Sequence, residues 1–70
     1  MAVVKIIEVV STSPDGFPDA VQRAVQECCR TVRKVVGVEV VGWTCKVENG
    51  KITEYKADCK IAFVVEDGCA

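Results

Sequence analysis

From Thr53 to Val65 the chain alternates strictly. Thr53, Tyr55, Ala57, Cys59, Ile61, Phe63 and Val65 fall on one side, and Glu54, Lys56, Asp58 and Lys60 fall between them. This is the two-residue period of a β-strand with one face in a core. The other face is a charged ladder, which an antiparallel sheet in so short a chain would normally show to water.

The rest of the pattern supplies partners for that strand. Val3 to Val10 reads as a first strand, rich in β-branched residues and ended by the turn-forming run Ser11-Thr12-Ser13-Pro14-Asp15-Gly16. Phe17, Val21, Ala24, Val25, Cys28, Val32 and Val35 then recur at steps of three and four, with polar residues between them, which predicts one amphipathic helix. Pro14 and Pro18 sit near its start, where a missing N–H does no harm. Asp15 and Asp19 lie at the positive end of its dipole, and Arg30, Arg33 and Lys34 at the negative end. Gly37 suits a left-handed closing residue, so the helix is expected to end about there. Val38 to Val47 predicts a second strand. Asn49-Gly50 predicts a type I′ hairpin turn, and the third strand starts at Ile52.

The order is therefore β-α-β-β. The fold class is α+β, a three-stranded antiparallel sheet wrapped around one amphipathic helix, with residues 1–70 as a single domain. Phe17, Val21, Ala24, Cys28, Val32, Tyr55, Cys59, Ile61 and Phe63 are the residues expected between helix and sheet. Strict alternation puts Val38 and Val40 on one side of the second strand and Val41, Trp43, Cys45 and Val47 on the other. Apolar residues on both sides suggest burial on both, and a second copy would have to cover one of them.

Composition sharpens that expectation. Half of the 70 residues are hydrophobic, with only two Phe, one Trp and one Tyr, and mean hydropathy is +0.25. A chain this size hides only about 60% of its unfolded surface on its own. Homo-oligomerisation is the expected remedy. Nine basic and ten acidic residues leave a net charge of −1, so no basic field exists to recruit nucleic acid or anionic lipid. The longest apolar runs are too short to span a membrane. The opening residues lack the ordered regions of a signal peptide, so a cytoplasmic location is expected.

Five cysteines stand without any histidine, and no Cys-x-x-Cys pair occurs. This argues against a zinc site, and an odd count argues against a secreted disulfide framework. The cysteines are expected to be small core residues, with Cys69 the exposed one. Nor does a catalytic constellation appear: no Ser or Cys has an evident base beside it. The protein is not expected to be an enzyme.

Over nearly its whole length the chain resembles the dodecins. The resemblance is carried by Lys5-Ile6-Ile7-Glu8-Val9-Val10-Ser11-Thr12-Ser13-Pro14-Asp15-Gly16, the helix from Asp19 to Val35, Glu39-Val40, Tyr55, and Lys60-Ile61-Ala62-Phe63. It implies a hollow homododecamer that holds flavin, riboflavin or FMN, between subunits for storage and quenching. In such proteins a Trp just before the Glu-Val of the second strand stacks on the flavin ring, and a Gln after the Tyr of the third strand bonds its edge. Here Gly37 and Lys56 stand at those positions, so the resemblance implies a divergent member. Gly37, Glu39 and Lys56 are the cofactor-binding candidates it marks.

Trp43, six residues beyond Gly37, has two readings: a relocated stacking platform, or an ordinary buried aromatic. Lys56 likewise could meet a ligand or an ion-pair partner such as Glu39, Glu54 or Asp58. In lacking the Trp and carrying a basic residue at the Gln position, the sequence looks closer to a dodecin branch associated with calcium. Glu39, Glu54 and Asp58 could offer oxygen ligands around a symmetry axis, although Lys56 and Lys60 on the same ladder oppose this. A shell without flavin, ion-binding or structural, is the alternative function.

Overall fold

A computed structural model describes residues 2–67; Cys69 lies outside them. The elements are β1 (Ala2–Ser13), α1 (Phe17–Thr31), β2 (Val35–Glu48) and β3 (Lys51–Asp67). β3 lies in the middle of the sheet, antiparallel to β1 on one side and β2 on the other. The α+β class and the β-α-β-β order are those read from the sequence.

The turn into the helix is held by side chains rather than by turn propensity alone. Ser13, 1% exposed, accepts a hydrogen bond from the Asp15 N–H at 3.0 Å and donates to Asp19 Oδ2 at 2.6 Å. Arg23 Nε donates to the same carboxylate oxygen at 2.7 Å. Gly16 caps the helix at φ 151°, a conformation that side chains disfavour.

The helix ends earlier than its periodicity suggests, at Thr31, with Val32 already extended at φ −118°. Lys34, not Gly37, takes the left-handed conformation, at φ 57°, and its carbonyl accepts the Val64 N–H at 3.1 Å. The β-branched run that follows pairs with β3 and enters the sheet at Val35, which outweighs the helical spacing of Val32 and Val35. At the hairpin, Asn49 at φ 53° and Gly50 at φ 76° give both central residues the positive φ that the type I′ turn requires.

Register decides which side chains share a face. Ile61, Cys59 and Ala57 stand opposite Ile7, Val9 and Ser11 on β1, and this face meets the helix. On β2 the pairing shifts between Val40 and Gly42. This bulge inserts one residue and reverses the alternation beyond it. Val38 and Val40 are thus joined on the helix side by Trp43 and Cys45, opposite Ile61, Cys59, Ala57 and Tyr55. The two-sided arrangement expected from unbroken alternation does not occur.

The core consists of Ala20, Ala24 and Cys28 of α1 against Ala57, Cys59 and Ile61 of β3. Small residues on the helix stripe let its backbone approach the sheet closely. Phe17, Val21, Val32, Tyr55 and Phe63, expected in the same layer, are only half-buried. A 15-residue helix is about 22 Å long, whereas the molecule measures 58 × 19 × 14 Å. Its radius of gyration, 14.5 Å, exceeds the roughly 11 Å of a compact chain of this length. Much of the sheet is therefore bare, and Ile6, Val10, Val36 and Val47 are all more than half exposed. Among the described residues no helix is long and apolar enough to cross a membrane.

Candidate functional site on the outer sheet face

The sheet face turned away from the helix collects three of the four residues that the sequence marks. Gly37 stands opposite Ala62, Glu39 opposite Lys60, and Lys56 between Thr12 and Thr44. All belong to the even-numbered face of β3. They are not close together, however. Ala62 and Lys56 are six residues apart on one strand, about 20 Å at the rise of an extended chain. Gly37 and Lys56 of one copy therefore cannot grip the same small ring.

Gly37 is ordinary extended backbone, and a Cβ built there would meet only the Ala62 Cβ, at 3.9 Å. The expectation that it closes the helix in a left-handed conformation is thus corrected, and the position has room for a side chain. Trp43 lies on the other face. Its ring meets Phe17 edge-on at 4.7 Å, and Phe17 meets Tyr55 in the same manner at 5.1 Å. Trp43 is 51% exposed in the single chain and stands on the face opposite Gly37.

The electrostatics of the outer face follow from register. Lys60 stands between Glu8 and Glu39, and Lys46 opposite Glu54, so opposite charges face each other across the strands. Lys56 has threonines beside it instead, and its acidic neighbours Glu54 and Asp58 lie along its own strand. The exception is Asp58, whose cross-strand partners are Val10 and Gly42. Its Oδ1 is buried without a hydrogen-bond partner. A hydrogen bond with the Asp58 carboxyl, reinforced by its charge and by desolvation, raises Glu8 above the ordinary carboxylate value, against the weaker pull of Lys60. The role of Glu8 was not visible in the sequence, since only strand order brings residues 8 and 58 together. Within one chain, among the described residues, no cluster of three metal-ligating side chains is present; the arrangement expected of Glu39, Glu54 and Asp58 is one between copies.

Of the cysteines, Cys28 and Cys59 are buried and Cys29 and Cys45 exposed, so the expected core role holds for two of the four described. Burial pushes the Cys28 and Cys59 thiols up, away from the thiolate that redox chemistry needs. A groove of about 530 Å³ runs between β1 and α1, lined by residues such as Val10, Thr12, Arg23 and Arg30. None of the sequence-marked residues lines it.

A family model, Dodecin, matches residues 3–66. The chain belongs to the dodecin family. Its fold superposes on the dodecin of Streptomyces coelicolor with a TM-score of 0.89 at 33% identity, covering 96% of each chain. A dodecin variant from Thermus thermophilus gives a TM-score of 0.90 at 27% identity, over 96% of this chain and 100% of that one. The calcium dodecin of Mycobacterium tuberculosis, a calcium-chelating antigen, gives 0.80 at 26% identity, over 97% of each. No curated protein sequence matches the chain.

Proposed function

We propose that the chain assembles into a cytoplasmic homododecamer that sequesters a small ligand between copies and performs no catalysis on it. Residues 1–70 are the unit that assembles. Flavin is the ligand class that family membership supports. One observation carries the reading: Gly37 and Lys56 share the outer face yet stand about 20 Å apart along it. A site that uses both positions has to take them from different subunits. The bare apolar residues of the sheet supply the driving force for that contact.

This member diverges at the ligand. Gly37 offers no ring to stack on, and Lys56 offers donors without an acceptor for the flavin edge. Its charge instead favours a ligand carrying an anionic group, so FMN is expected to bind better than riboflavin. Titrating both against the purified protein, with flavin fluorescence as readout, tests this. Riboflavin binding as tight as FMN binding would overturn the role given to Lys56. Flavin binding in no form would leave the second reading, a flavin-free shell that binds calcium or has a structural role. The likeness to the calcium dodecin favours that reading, and calorimetric titration with calcium checks it.

A further inference from the structure

Asp58 is the one described residue with a buried side-chain oxygen lacking a hydrogen-bond partner. On its β2 side stands Gly42, where an added Cβ would meet nothing within 4 Å. On its β1 side stands Val10. No donor comes from either cross-strand neighbour. Glu8, exposed and opposite Lys60, is its diagonal neighbour on the same sheet face, and as a carboxylate it has no hydrogen to give. Two carboxylates so placed repel each other, and the orphan oxygen stays unsatisfied. A single proton held by the two carboxyls relieves that repulsion.

We propose that Glu8 and Asp58 form a proton-binding pair, which the folded chain loads with one proton as pH falls and which makes its stability fall as pH rises out of the carboxylate range. The surrounding charges are consistent with this. Among the described residues, β1 contributes to the same face only Glu8; β3 contributes Glu54, Lys56 and Lys60; β2 contributes Glu39, Lys46 and Glu48. The helix packs on the opposite face and adds none. Lys60 is the cation nearest Glu8 in register, but it is also opposed by Glu39 from the other side. Its pull on Glu8 is weaker than the effect of Asp58, as the upward direction of the Glu8 shift records. The proposal is independent of which ligand the protein holds.

The sign is fixed by linkage. A carboxyl group that holds its proton more tightly when folded contributes stability that is lost as pH rises through its folded-state value. The window therefore lies above the ordinary carboxylate range. Thermal unfolding of the full chain, followed as pH rises out of the ordinary carboxylate range, should show the melting temperature falling. Glu8→Gln places a permanent amide donor beside Asp58 and should abolish that slope, leaving a melting temperature at about pH 7 no lower than that of the wild type. Asp58→Asn should abolish it too. The infrared carbonyl band of a protonated carboxyl, present in the wild type inside the window, should be missing from both variants. A slope unchanged in both variants, or a wild type with neither slope nor band, would overturn the proposal.

Discussion

Ser13 shows how one side chain fixes a whole connection. It is buried, receives the Asp15 N–H and gives its own hydrogen to Asp19, so it couples the end of β1 to the first turn of α1. Ser13→Ala leaves the turn without this link, and should cost about 1 to 3 kcal/mol by the usual penalty for a buried polar group losing its partner; chemical denaturation measures it. The Ser13 and Arg23 bonds hold Asp19 below its ordinary value. A lowered carboxyl contributes stability that is present above its unfolded-state value and lost as pH falls through its folded-state one. The stability difference between wild type and Asp19→Asn should accordingly be constant near neutrality and shrink in acid, which melting curves below about pH 4 would reveal. Gly37 argues the opposite case, a position where little is fixed. Because its backbone is extended and its surroundings open, Gly37→Trp combined with Lys56→Gln should fold, strengthen riboflavin binding by roughly 30- to 900-fold and quench flavin fluorescence. The estimate joins roughly 1 to 3 kcal/mol for a stacked aromatic with about 1 kcal/mol for a matched polar contact.

Among the elements, β3 carries most of the packing, and Ile61 is its largest fully buried side chain. Ile61→Ala should lose about 2 to 5 kcal/mol, since the flat helix–sheet layer can close over the gap only in part. Lys60→Glu tests the charged face: it would put a third acidic group between Glu8 and Glu39 and lower the melting temperature, more at low salt than at high. β3 was also the most legible element, because its alternation is local and unbroken. The hairpin was readable for a similar reason, Asn49-Gly50 being dictated by φ alone. The end of α1 was misread because Val32 and Val35 satisfy helical and strand spacing equally, and pairing with β3 decides between them. The side of Trp43 was hidden by one inserted residue between Val40 and Gly42, which reverses the alternation beyond it; Gly42, an isolated glycine within the strand, was its one local sign. The closeness of Glu8 to Asp58 was hidden as well: register across fifty residues of sequence is a property of the folded sheet.

For the whole molecule, the decisive proportion is a short helix over a long sheet. The apolar residues left uncovered predict that a monomer is not the stable form, and light scattering at micromolar protein should return the mass of a twelve-chain particle. Dilution should lower the melting temperature for the same reason. The strand order has a further consequence, in the order of synthesis. The central strand is the last of the three to be made, so β1 and β2 leave the ribosome with no neighbour between them, each an edge on both sides. A nascent chain halted before residue 51 has a helix and two strands that cannot yet form this sheet, and it is a candidate for chaperone capture. Completion of β3 then joins both strands at once.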